Sequence, residues 1–207
     1  MADEEGASPR ELVLEACRRN NTELLEETLK DLGAAASKSG KKPEDHVADV
    51  LNNARDGVGN GCLHVAATYG SFEVIDMLLD QEGLEIDEID RMEQDTPLHK
   101  AVRYVNSLEK SVWPHGHSIV AMLLDAGCDP RIRNKAKLKP IELADPRNTE
   151  LRSMLQKGEV SMLMGGDVVE DDDDGPTGSA KKTFGPRLWW WELGYLHRGR
   201  GCWLRQP

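Results

Sequence analysis

The sequence predicts an all-α solenoid, a row of stacked helix–turn–helix units with hairpin-like turn tips. Three observations point to it. A helix-start pattern recurs along the first three quarters of the chain. Each copy is followed by a second apolar stretch at helical spacing. The composition is lean, 39% hydrophobic and 30% charged over 207 residues, which suits a thin stack in which each unit buries its faces only against neighbours.

The sharpest copy is Thr96-Pro97-Leu98-His99-Lys100-Ala101. Thr96 is a good N-cap, and Pro97 occupies the first helical position, where a missing N–H costs nothing. Leu98 and Ala101 share one face of the helix, and the small Ala101 lets a neighbouring helix come close. An earlier copy is Gly61-Cys62-Leu63-His64-Val65-Ala66, and a later one is Lys139-Pro140-Ile141-Glu142-Leu143-Ala144. A looser one begins at Leu12. The second halves read Thr22–Leu29, Phe72–Leu79 and Ser118–Leu124, apolar at helical spacing.

Thr96–Ala101 matches the T-P-L-H-x-A signature, so residues 9–157 resemble four ankyrin units, the last one or two degenerate. The resemblance implies a first-helix histidine, His99, that bonds the backbone of the adjoining unit. It also implies a concave binding face made of turn tips and first helices. Departures are plain. Gly61 and Cys62 stand for Thr and Pro, Glu142 for His, and Gln94 and Lys137 for the turn glycine. The last two would carry strain if those turns need positive φ.

In order along the chain, residues 1–7 form an acidic lead, expected to be disordered. The array spans 8–158, with units at 8–33, 56–90, 91–133 and 134–158 and an insertion at 34–55. Ser8-Pro9-Arg10-Glu11 reads as a capping box. Asn20-Asn21 make the first interhelical turn, and Gly33 is expected to end the first pair. A loop over 33–43 and a short helix over 44–53, with Val47, Val50 and Leu51 on one side, fill the insertion. In 81–90, Ile86 and Ile89 are expected inward, and Glu82, Glu85, Asp87, Glu88 and Asp90 outward. The first helix of unit three should run past Tyr104. An insertion then ends at Trp113–Gly116, and His117 resumes the pattern. Asp145-Pro146 is expected to cap the last helix, and Gly158 to begin the tail. Arg131, Arg133, Lys135, Lys137 and Lys139 form a basic strip, read first as a solvated turn surface.

An acidic tail spans 159–179, with Val160, Met162, Leu163 and Met164 available to dock on the last unit. Residues 180–207 are an aromatic and basic tail of abruptly different composition. Arginines among its aromatics allow a membrane-surface or nucleic-acid reading. It can equally be non-native, disordered sequence, such as a translated intron.

The net charge is −11, and the last 28 residues are basic, so the remainder is more acidic still. That argues against direct nucleic-acid binding and favours a basic protein partner. A bland role of the charge in solubility fits equally well. No apolar run is long enough to cross a membrane, and the acidic N-terminus is not a signal peptide. Four scattered cysteines, with Cys17 and Cys62 on core positions, fit a reducing cytosolic or nuclear setting. No catalytic constellation, cofactor motif or metal-ligand spacing emerges. His115, His117, Cys128 and Asp129 lack the spacing of a zinc site.

The candidate protein-binding residues are Thr68, Tyr69, Lys100, Arg103 and Tyr104 on first helices, Glu88, Asp90, Glu93 and Asp95 near the turn tip, and Trp113. For the tyrosines, scaffold packing is as good a reading as binding. The acidic balance, the turn before Ile132-Arg133-Asn134-Lys135 and the acid-rich tail resemble the fungal ankyrin-repeat escort chaperones of a small-subunit ribosomal protein. That implies a monomeric chaperone in ribosome biogenesis, in cytoplasm or nucleus. A generic adaptor for proteasome assembly or transcription regulators is the alternative.

Overall fold

A computed structural model describes residues 7–39 and 42–164 of the chain. The helices are α1 (Pro9–Arg19), α2 (Thr22–Ser39), α3 (Pro43–Asn53), α4 (Cys62–Tyr69), α5 (Phe72–Leu79), α6 (Pro97–Ser107), α7 (Trp113–Asp125), α8 (Pro140–Leu143) and α9 (Thr149–Met164). A 3₁₀ turn, Lys110–Val112, leads into α7. No strand occurs among the described residues. The first helices α1, α4, α6 and α8 pack in sequence, and α5, α7 and α9 back them. Leu63 and Leu98 are buried at successive first-helix positions, and Ile141 packs partly buried in the next. The acidic lead, most of the acidic tail and the aromatic tail lie outside the described residues.

Local chemistry sets the helix starts. Ser8 and Glu11 form the expected capping box. Asn20 closes α1 in the left-handed conformation (φ 52°), and Asn21 Oδ1 accepts the Leu24 N–H at 3.0 Å. α6 runs past Tyr104 to Ser107, as its apolar period requires. Glu142 in the histidine slot still reaches back to accept the Lys139 N–H at 2.7 Å. It caps α8 as histidine would.

Several boundaries differ from the sequence reading. α2 does not stop at Gly33 but continues to Ser39. Ala34-Ala35-Ala36 are strong helix formers, and Ala36 is fully buried. The α3 stripe is as expected: Val47, Val50 and Leu51 are buried, and α3 packs on α1 and α2. The cap of α9 is Asn148 and not Asp145. Asn148 Oδ1 accepts the Leu151 N–H at 3.1 Å, while Asp145 takes the Arg147 N–H in the turn before. α9 also passes through Gly158 to Met164. Its Val160, Leu163 and Met164 are exposed.

The turn tips repeat one conformation. Gly59, Gln94 and Lys137 sit at φ of 95°, 54° and 60°. The strain anticipated at Gln94 and Lys137 therefore exists, because a Cβ crowds its own carbonyl in this region. Gln94→Gly and Lys137→Gly should each stabilise the array by about 1 kcal/mol. Urea unfolding midpoints of the single variants check this; a drop in midpoint for either would refute it.

A polar seam beneath the candidate interface

The candidate interface is the face formed by the turn tips and by α4 and α6. Its deepest layer is a row of histidines. The Gly61 N–H donates to His64 Nδ1 at 3.3 Å and the Thr96 N–H to His99 Nδ1 at 3.2 Å. The proton of each ring therefore rests on Nε2. His64 Nε2 donates to the Asp95 carbonyl at 2.8 Å, and His99 Nε2 to the Leu138 carbonyl at 3.1 Å. Each histidine thus ties its own helix start to the turn of the next unit. Burial depresses the pKa of both rings, only partly offset by the carbonyl each one bonds and by Asp90 or Asp95.

Both histidines are neutral in the fold and would gain protons on unfolding. Their contribution is complete above the ordinary value of 6.5. It declines as pH falls from there through the lowered folded values. The urea midpoint is expected to fall between pH 7 and pH 5.5, and His64→Gln should flatten that slope. An unchanged midpoint over the window would contradict the assignment.

Above the histidines, the acids picked out in the sequence turn out to be struts. Asp95 is fully buried. Its Oδ2 meets Arg103 Nε at 2.9 Å and Lys100 Nζ at 3.5 Å, and its Oδ1 accepts from Asn134 Nδ2 at 2.9 Å. Asp90, 2% exposed, is paired with Lys100. Burial pushes its carboxyl up, but Lys100 and the Glu93 N–H together hold it below the usual value. The Glu88 side chain is nearly buried and pairs with Arg55 at 2.7 Å. Here burial wins, and the carboxyl lies above its ordinary value despite Arg55. Gly61 stands in the threonine slot for a reason visible here: a Cβ there would fall on Glu88 Oε2 and crowd Arg55.

Ile86 packs partly buried against the core as expected, but the order is reversed at residues 88–90. Ile89 is 52% exposed, whereas Asp90 and the Glu88 side chain are covered. The loop turns its charges toward Lys100 and Arg55, which the sequence places on other segments. Asp90, Asp95 and Glu88 are out of reach of a partner, and Lys100 is largely occupied with them. Glu93 stays exposed at the tip.

The aromatic candidates divide as well. Tyr69 is 54% exposed, beside exposed Thr68, whose hydroxyl bonds the His64 carbonyl at 2.7 Å. Tyr104 does not stand in parallel with it. Its ring lies on Gly70, and it packs half-buried against the core. Trp113 also packs against the core, with Nε1 donating to the Leu108 carbonyl at 3.2 Å and Lys110 over its ring. Arg103 is half-exposed while held by Asp95. Sequence reading missed Arg55 and Asn134. Their signal was charge or amide capacity on segments facing an acid cluster. In the basic strip, Arg131 and Arg133 pair with Asp129 and Glu142, Lys139 with Glu159, and Lys135 bonds the Met92 carbonyl.

Against this geometry, the family model for ankyrin repeats (three copies) matches residues 12–134. The chain is 39% identical over 181 residues to the ankyrin repeat-containing protein YGL242C of Saccharomyces cerevisiae, covering 84% of this chain and 93% of that one. The chain belongs to the ankyrin-repeat family. An ankyrin array is a protein–protein interaction module, and its histidine ladder and tip turns are those of the family. In this array Asp90, Asp95 and Glu88 are spent on contacts with Lys100, Arg103, Asn134 and Arg55. Among the described residues, no helix is long and apolar enough to cross a membrane and no cluster of His, Cys, Asp or Glu could hold a metal ion. Cys17, Cys62 and Cys128 are buried free thiols, and burial pushes Cys62 up to about 12.

Proposed function

We propose that the array is a non-enzymatic escort that captures a basic protein segment. The client class suggested by the sequence is a ribosomal protein of the small subunit, held in cytoplasm or nucleus until assembly. The observation that carries the charge preference is the surface of the first unit and the insertion that follows it. Glu23, Glu27, Asp31, Glu44, Asp45 and Asp49 all stand exposed on α2 and α3. These acids, unlike Asp90 and Asp95, are available to a partner. A field of that sign speeds encounter with a cationic segment and disfavours nucleic acid.

On the inner face, exposed Tyr69, Thr68, Glu93 and Arg103 are the contact residues retained from the sequence. Val58 and Met92, both 56% exposed at successive tips, add apolar area beside them. Tyrosine and arginine suit such contacts. Lys100, Asp90, Asp95, Glu88, Tyr104 and Trp113 hold the scaffold in this reading.

Affinity capture of the monomeric protein from a cell lysate, read by mass spectrometry at two salt concentrations, tests the proposal. A single highly basic ribosomal protein, recovered at low salt and lost at high salt, is expected. Recovery of proteasomal or transcription-regulator subunits that withstand salt would replace the escort with the adaptor.

A further inference from the structure

The insertion helix α3 builds a groove that the repeat pattern itself does not supply. α3 lies against α2, and the loop after α5 is tied to α3. Asn52 Nδ2 donates to the Gly83 carbonyl at 2.9 Å, and its Oδ1 accepts the Glu85 N–H at 2.9 Å. A depression of about 210 Å³ remains between α2, α3 and this loop, lined by Leu29, Gly33, Pro43, Glu44, Val47, Gln81 and Glu82. Leu29, Pro43 and Val47 give it an apolar lining, and Glu44 and Glu82 are the charged lining residues among those described. Both carboxylates are exposed. No hydrogen bond or ion pair within the array engages either side chain among the described residues. That separates them from Glu88, Asp90 and Asp95 on the inner face, which are consumed as struts.

We infer that this groove receives a lysine or arginine side chain of a basic protein segment, with the methylene stem along Leu29 and Val47 and the cation between Glu44 and Glu82. Long cationic side chains divide in this way, apolar stem against apolar surface and charged head toward water or an anion. The volume suits one such side chain and not a drug-sized ligand, whose pockets begin at about 300 Å³. Charge complementarity decides the occupant: among the described residues, two carboxylates and no cation line the groove. The insertion thereby becomes a second contact for the client, on a different face from the tips and first helices. This rests on the reading of the protein as a binder of basic segments and says where one such contact falls.

The test uses the full chain and a fluorescent oligoarginine peptide, with affinity read by anisotropy. Glu44→Gln with Glu82→Gln should weaken binding about fivefold, since two exposed ion pairs contribute modestly. A control variant of equal charge change, Glu109→Gln with Glu150→Gln, both exposed and outside the contact residues named above, should bind within about twofold of the parent. Both glutamine pairs replace exposed side chains, and equal thermal midpoints would confirm that the fold is kept. If both variants lose affinity alike, the peptide senses only net charge and the groove assignment is overturned, while the basic-client reading stands. If the groove variant binds as tightly as the parent, the assignment is likewise overturned. If the parent does not bind the peptide at all, the basic-client reading fails and the groove with it.

Discussion

Asp95→Ala is expected to destabilise the array by about 3 kcal/mol, at the lower end of the cost of breaking a buried charge pair. The loss stays at that end because Arg103 is 47% exposed and water screens its share. The larger part comes from the other partners. Asn134 is 4% exposed and would lose its acceptor, and Lys100 is 16% exposed and would keep only Asp90. The carbonyl of the same residue accepts the His64 proton from the unit before, while its carboxylate accepts from Asn134 in the unit after. One position thus joins three consecutive units. In a stack whose stability is a sum of interface terms, a loss there should loosen coupling as well as lower stability. Urea unfolding should therefore show a lower midpoint and a shallower slope. Asp95→Asn should cost less, since an amide oxygen still serves Asn134. Glu93→Ala, at the exposed tip two residues away, should stay within about 0.5 kcal/mol of the parent. A loss below 1 kcal/mol for Asp95→Ala would show that the seam is incidental.

The fold was legible because its signals are local. Thr96-Pro97 starts a helix by its own chemistry, and Leu98 with Ala101 marks the buried face within one turn. The departures were legible for the same reason: Gln94 and Lys137 stand where the repeat needs positive φ, and both adopt it. The interface acids were not legible. Glu88, Asp90, Glu93 and Asp95 look alike in one dimension, and whether each is a strut or a surface charge depends on where Arg55, Lys100 and Asn134 arrive from other segments. The extension of α2 past Gly33 was hidden by a rule that is only statistical. Glycine often ends helices, yet three alanines follow it here, and Pro43 Cβ lies 3.9 Å from where a Cβ of residue 33 would be. The groove beside α3 was out of reach for a different reason. Its walls come from three separate segments, and no spacing in the sequence brings Glu44 to Glu82.

Gly70→Ala should cost about 3 kcal/mol, of which roughly 1–2 is the penalty of a Cβ in the left-handed region and the rest displacement of Tyr104. Gly70 sits at φ 72°, and a Cβ there would fall on the ring and hydroxyl of Tyr104. This contact also explains why two tyrosines in like positions behave differently. Tyr104 has the glycine of the preceding unit to lie on. The residue that closes α1 as Gly70 closes α4 is Asn20, whose side chain is bound to Glu73 and accepts the Val74 N–H at 3.2 Å. Tyr69 therefore finds no flat floor and remains exposed. The two contributions separate in a double-mutant cycle. In a Tyr104→Ala background the glycine change should lose only its backbone share, about 1–2 kcal/mol. An equal loss in both backgrounds would mean that the ring does not rest on Gly70. The same cycle bears on binding. Tyr69→Ala should weaken capture of a basic client with the unfolding midpoint unchanged, whereas Tyr104→Ala should act first on stability.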